Sequence, residues 1–229
     1  MKNLLLTTVL SASTLLAIAQ NFNRQNFNRL ALHVAVGNHF AMSPAQAKMD
    51  FLNLHAVNGG VRFMFTPYIG IMATGNYDFL DFKGLGSNNQ NLIRTEVQGV
   101  VNVGNLCNFQ QVSQDIGFLF HAGIGSSHLF SKETKRDDAK DPLFKNVDDM
   151  FNVMMGIRPQ VRLNKHMTLF LDYTLVANFK QDFSYDFAER LSAKGIGGNM
   201  HSLKLGLSVS FGQFSEYADW QPYLGEKRM

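Results

Sequence analysis

Arg62, Asp78, Arg94, Glu96, Arg158, Arg162, Asp172 and Lys204 are charged residues set singly or in pairs into otherwise uncharged, alternating stretches of the chain. Charges of both signs placed this way can do two things. They can pair with one another in a confined space, or they can line a path for a small solute. Reaction chemistry needs other sets. Ser126-Ser127-His128 and His201-Ser202 are local pairs that lack a catalytic context. The 7 His residues do not cluster with other ligands at metal-binding spacing. His121 reads as a structural inward histidine. No phosphate loop of the Gly-x-x-x-x-Gly-Lys-Ser/Thr type occurs, and residues 194–198 read as a flexible loop tip. Cys107 is the only cysteine, so it forms no internal disulfide and reads as a small apolar filler near a turn. A net charge of +3 without basic runs interleaved with aromatics argues against nucleic acid. The sequence predicts no enzyme, no cofactor and no metal.

The elements that must position these charges are strands. Between residues 149 and 179 every second residue is apolar: Phe151, Val153, Met155, Ile157, Val161 and Leu163, then Met167, Leu169, Leu171, Tyr173, Leu175 and Phe179. A period of two means β-strand, and the break at Asn164-Lys165-His166 makes an antiparallel hairpin. Similar runs are predicted at 29–38, at 60–65 with an ambiguous start over 53–59, and at 68–82, 92–103, 115–126 and 202–211. That makes eight strands. The two hairpin strands have roughly 13 residues each, where soluble strands average about 5–6. Such length suits tilted strands crossing a bilayer. Two local misfits point to bulges or relaxed register: Gly59-Gly60, and Pro159 in mid-strand.

The two faces of these strands decide the class. One is apolar and uncharged. The other carries the charges and many small residues. A soluble barrel would turn the apolar face inward; a membrane barrel turns it out, and small residues fill the narrow interior. The chain reads as all-β, an eight-stranded antiparallel up-and-down transmembrane β-barrel over 20–211. It follows a signal peptide at 1–19 with Lys2, an apolar run and an Ala17-Ile18-Ala19 cleavage site. A short periplasmic tail occupies 212–229. Long connections after the odd-numbered strands and shorter ones after the even-numbered strands place both termini in the periplasm of a Gram-negative bacterium. Arg62, Arg94, Glu96, Arg158, Arg162, Asp172 and Lys204 then form a structural charge network in the lumen. Two alternatives stand beside this reading: a narrow or gated small-solute channel, and a soluble periplasmic ligand-binding barrel.

Gly60-Val61-Arg62-Phe63-Met64-Phe65, Gln98-Gly99-Val100-Val101-Asn102-Val103-Gly104, His121-Ala122-Gly123-Ile124-Gly125 and residues 149–160 resemble the barrel of OmpA-like outer-membrane proteins of the Bacteroidetes type. Tyr217-Ala218-Asp219-Trp220 resembles that family's exit from the barrel. The last strand is similar to the signal read by the barrel-assembly machinery, carried here by Lys204, Gly206, Val209 and Phe211. The resemblance implies a non-enzymatic structural or accessory role in the cell envelope, with outer-membrane lipid and a protein complex as partners. The family's peptidoglycan-binding domain has no counterpart in residues 212–229, so peptidoglycan binding is not expected. The aromatic tail is expected to lie at the interface or disordered, or else to dock to a partner.

Overall fold

Side-chain alternation with a period of two puts one set of residues on each side of a pleated wall, and here the wall closes on itself. The computed structural model describes residues 27–43, 55–82, 88–107, 109, 113, 115–131, 147–185, 196–212 and 218–220. The predicted signal peptide, the charged loop 132–141 and most of the tail lie outside the described residues. The strands are β1 (Leu30–Ser43), β2 (Ala56–Met64), β3 (Ile69–Phe82), β4 (Asn88–Asn102), β5 (Ile116–Ser131), β6 (Val147–Arg162), β7 (Met167–Phe179) and β8 (Ile196–Phe211). Each pairs antiparallel with the next, and β8 returns to pair with β1 from Leu30↔Phe211 to Ser43↔Asn199. One end of the barrel, here the termini end, carries Asn28, Gly212 and the connections 65–68, 103–115 and 163–166. The other, the loop end, carries 44–55, 83–87, 132–146 and 180–195.

Several strands run further toward the loop end than composition suggests. Asn88 to Asn91 look like loop, yet they pair with Phe82 to Phe79, so β3 and β4 form a longer hairpin. β5 likewise continues to Ser131, β6 starts at Val147, and Ile196 to Gly198 belong to β8 rather than to a loop tip. Backbone pairing to an adjacent strand carries these polar and glycine residues where side-chain alternation fades. At the termini end, Val103 starts a short helix, α1 (Val103–Leu106), capped by the Asn102 side chain, rather than ending β4. The long connection 103–115 therefore departs from the simple long–short rule.

The expected bulges at the two misfits are absent. Gly59 and Gly60 keep unbroken register with Val34 and His33 on one side and with Gly75 and Thr74 on the other. Pro159 pairs with Phe118 in register. On its other side the β6–β7 ladder skips from Ile157↔Tyr173 to Gln160↔Phe170 without a shift. Proline's missing N–H interrupts the ladder, and the Arg158–Asp172 ion pair spans the gap. Register does shift between Ala41 and Ser43 and between Asn178 and Phe179, at the loop end.

The outer wall is apolar around the barrel: Leu32, Val34, Val57, Ile71, Val97, Ile124, Met155, Ile157, Leu171 and Leu205 are all exposed. From Ile69 to Phe79 the exposed face of β3 rises about 25 Å for a strand tilted about 40°. Aromatic side chains gather toward both ends. Phe65, Phe118 and Phe211 stand at the termini end, and Tyr77, Phe79 and Phe151 toward the loop end. The His128–Asp149 pair, at 2.6 Å, lies on this outer face toward the loop end.

Candidate functional site: the filled lumen

The inward residues stack into layers. Next to the termini end, Met64, Met72, Val100 and Leu119 pack with Phe27 and Ala218 into an apolar layer. Toward the loop end, Leu80, Leu92, Leu129, Met150, Met154, Val176 and Met200 pack with Ala41 and Tyr185 into a second. Asp78, Arg94, Glu96, Arg158, Asp172 and Lys204 lie between them. This order follows from the two-residue spacing on each strand: on β3, for example, Met72, Thr74, Asn76, Asp78 and Leu80 follow one another up the inside wall.

The polar middle contains two linked groups. In the first, Arg94 is 1% exposed and lies 3.2 Å from Asp78 and 3.0 Å from Glu96. His39 stands 2.5 Å from the other oxygen of Asp78. Glu96 also accepts hydrogen bonds from Thr74 (2.9 Å), Asn76 (3.1 Å) and Gln98 (3.0 Å). Lys204 donates to the side-chain oxygen of Asn76, Oδ1, at 2.5 Å, as does Asn58 at 2.9 Å. In the second group, Arg158 donates to Asp172 at 2.7 Å. His121 is 3.3 Å from the same carboxylate oxygen, and Thr174 donates to the other at 2.5 Å. The Arg158 guanidinium also lies 4.2 Å from the centre of the Phe170 ring. Asp172 faces Lys204 in register, which joins the two groups through the β7–β8 wall.

Large rings fit into so narrow a lumen because glycine faces them on the next strand. His33 pairs with Gly60, His121 with Gly156 and Phe170 with Gly206. A Cβ on any of these glycines would stand 2.6 Å from His33, 2.5 Å from His121 or 2.4 Å from Phe170. The glycine tract that resembles a bulge signal in sequence is thus a seat for an imidazole.

Both mouths are covered by the chain itself. At the loop end Lys180 takes φ 60° and turns the segment 181–185 inward. Tyr185 is fully buried there and accepts a hydrogen bond from Asn178 at 2.8 Å. Burial pushes its hydroxyl up to about 12, so it stays neutral. Asn178 in turn accepts from Ser127, which accepts from Asn152. Asp148 receives the backbone N–H groups of Asp182 and Phe183 at 3.0 and 2.9 Å. At the termini end Ala218–Trp220 forms a 3-10 turn, and all three residues are buried. Arg62 donates to Asp219 at 2.5 Å.

Arg62, Arg94, Glu96, Arg158, Asp172 and Lys204 all sit inside the lumen, as do Asp78 and His121. The structure gathers Arg94, Glu96 and Asp78 into one group and Arg158 with Asp172 into the other. Arg62 joins neither; its carboxylate comes from the tail. Arg162 is only half-buried, at the strand end opposite Thr168, outside both groups. Sequence reading missed His39, placed in a loop, and Asp219, placed in the tail. Two-residue parity could have found His39, which follows Ala35 and Gly37 on the inward face. Asp219 stands in the segment that resembles the family's exit from the barrel, but nothing in the sequence pairs it with Arg62. The Ser/His pairs form no nucleophile–base set. Ser127 points inward and His128 outward, and the Ser126 hydroxyl shares its hydrogen bond with Thr95 at 2.9 Å. Among the described residues, no group of His, Cys, Asp and Glu is disposed to hold a metal ion. Of the last-strand signal residues, Lys204 and Gly206 face inward and Phe211 faces outward, with Val209 half-exposed between them.

Solved structures share this architecture. Neisserial surface protein A superposes with a TM-score of 0.52 at 10% identity, over 80% of this chain and 97% of that one. A major outer membrane protein of Thermus thermophilus gives 0.51 at 11% identity, over 80% and 98%. The fold is that of an eight-stranded outer-membrane barrel. No protein-family model and no curated protein matches the chain in sequence.

Proposed function

We propose that the chain spans the outer membrane of a Gram-negative bacterium as a closed, non-conducting and non-enzymatic barrel of OmpA-like, Bacteroidetes type, with a structural or accessory role in the envelope. The observation that carries this is the lumen. Its inner charges pair with one another, apolar side chains pack on either side of them and chain segments enter both mouths, an arrangement that works against an open aqueous path from end to end. A channel needs such a path, and the eight-stranded barrel leaves only enough interior for its own side chains. The exposed apolar wall supports lipid as the surrounding medium, since charges placed there cost about 2–4 kcal/mol each near the midplane. The longest connections, at the loop end, favour that end as extracellular and the termini as periplasmic. Lys204, Gly206, Val209 and Phe211 in the closing strand suit recognition by the barrel-assembly machinery. A protein partner in an envelope complex fits a barrel with no reaction or transport chemistry of its own.

Fractionation, planar-bilayer recording and native pull-down from detergent extract test the proposal together. Expected are recovery in the outer membrane, absence of single-channel steps, and co-purification of a stoichiometric partner. Recovery in the soluble periplasm sinks the membrane reading. Discrete conductance sinks the plugged barrel, and isolation of the chain alone sinks the accessory-subunit role.

A further inference from the structure

The tail does not merely end the chain; its geometry is that of a docked ligand. Gly212, at φ 154°, turns the backbone off the wall immediately after Phe211, the last residue paired to β1. A Cβ at Gly212 would overlap the Asn28 side chain, so this turn requires glycine. Further on, Ala218 donates its N–H to the Asn28 carbonyl at 3.3 Å. Asn105 holds the Ala218 carbonyl at 3.0 Å and the Pro67 carbonyl at 2.9 Å. Asn102, which also caps α1, reaches the Asp219 carbonyl at 3.4 Å. Arg62 takes the Asp219 carboxylate, and Ala218 packs into the apolar layer with Phe27, Met64 and Leu119.

The receiving groups come from the chain before β1 (Asn28), from β2 (Arg62), from the end of β4 (Asn102) and from α1 (Asn105), which the Pro67 carbonyl of the β2–β3 turn helps to hold in place. The docked segment follows β8. The contact therefore ties the last strand to the first half of the barrel across the β1–β8 seam, and so reinforces the seam's own ladder.

We propose that Ala218–Trp220 is a latch: it enters the barrel's own mouth only after β8 has paired with β1, and it then locks that seam against reopening. The receiving site is complete once β1 to β5 and α1 are formed. The latch cannot reach it until the end of β8 arrives beside Asn28. Docking is thus the last contact made and the first that must break. An interaction formed after the folding transition state slows unfolding without changing the folding rate.

Trp220 is the only tryptophan, so it reports docking directly. The test uses the full chain folded in detergent or lipid vesicles. Quenching of Trp220 by acrylamide, and the unfolding rate in denaturant followed by gel mobility, are measured for the natural chain, Asp219→Asn and Asn105→Ala. The natural chain should show a shielded Trp220. Asp219→Asn should expose it and speed unfolding about tenfold or more, as the loss of a charge-assisted hydrogen bond implies, while the folding rate stays unchanged. Asn105→Ala should act the same way more weakly. The reversed pair Arg62→Asp with Asp219→Arg should recover shielding that Arg62→Asp alone loses. Free quenching of Trp220 in the folded natural chain overturns the proposal. So does an unfolding rate unmoved by Asp219→Asn, or a variant whose only change is slower folding.

Discussion

Removing the Arg94 guanidinium is the sharpest test of the filled lumen. Arg94 is 1% exposed and serves two carboxylates, Asp78 and Glu96, which are themselves buried. Arg94→Met leaves both charges without their cation. Breaking a buried pair from one side costs about 3–5 kcal/mol. Partial relief is built in: Glu96 keeps Thr74, Asn76 and Gln98, and Asp78 keeps its contact with His39. The loss should therefore fall near the lower bound, about 3 kcal/mol. Neutralising all three at once, with Arg94→Met, Asp78→Asn and Glu96→Gln, removes the stranded charges and should recover stability to within about 1–2 kcal/mol of the natural chain. The assay is reversible urea unfolding in phospholipid vesicles, followed by far-ultraviolet circular dichroism and by the mobility of unheated protein on gels. A loss below about 1 kcal/mol in the single variant would mean that water or lipid headgroups solvate the lumen. A triple variant as unstable as the single one would mean that the guanidinium acts by packing alone. Either result refutes the closed network.

Three further outcomes follow from the same geometry. Val34→Arg, on the 64%-exposed outer face of β1, should cost about 2–4 kcal/mol in vesicles; a near-zero change in vesicle unfolding would favour a water-facing wall. Gly156→Leu would drive its Cβ into the His121 ring and should cost about 1–3 kcal/mol, partly recovered by adding His121→Ala in a double-mutant cycle. Arg162→Gln, at the half-buried rim, should change urea stability by less than about 1 kcal/mol, in contrast to Arg158→Gln, which strands Asp172.

The strands were legible because a lipid-facing wall and a packed lumen both enforce strict parity, and parity is written in every second residue. That is why Arg94, Glu96, Arg158 and Asp172 could be assigned to one face from their positions in the chain. Strand ends were less legible. Asn88 to Asn91 and Ile196 to Gly198 carry no apolar face, and only pairing to a neighbour holds them extended. Pairing between residues distant in sequence was not legible either. The seat of His33 on Gly60 needs the β1–β2 register, which hydrophobic alternation fixes in phase but not in position. His39 was lost for a simpler reason: polar His39 and the Ser43-Pro44 pair beyond it read as the start of a turn, although β1 stays paired past it and Ala41 is again buried.

Arg62 shows how a wall residue can imply a partner elsewhere. Its register neighbours are Ala31 on β1 and Met72 on β3, neither of them acidic. Arg94 finds Asp78 on the adjacent strand and Glu96 on its own, and Arg158 finds Asp172, so those pairs are complete within the barrel sheet. Arg62 is buried at the same cost and takes its carboxylate from Asp219, beyond the last strand. A closed barrel with the tail withdrawn would hold the guanidinium next to Met72 in register and to Met64 on the same strand, with no acidic register neighbour. The position of that one arginine therefore gives the tail an energetic reason to enter the mouth once the β1–β8 seam has closed, and so makes docking of Ala218–Trp220 the step that completes the barrel.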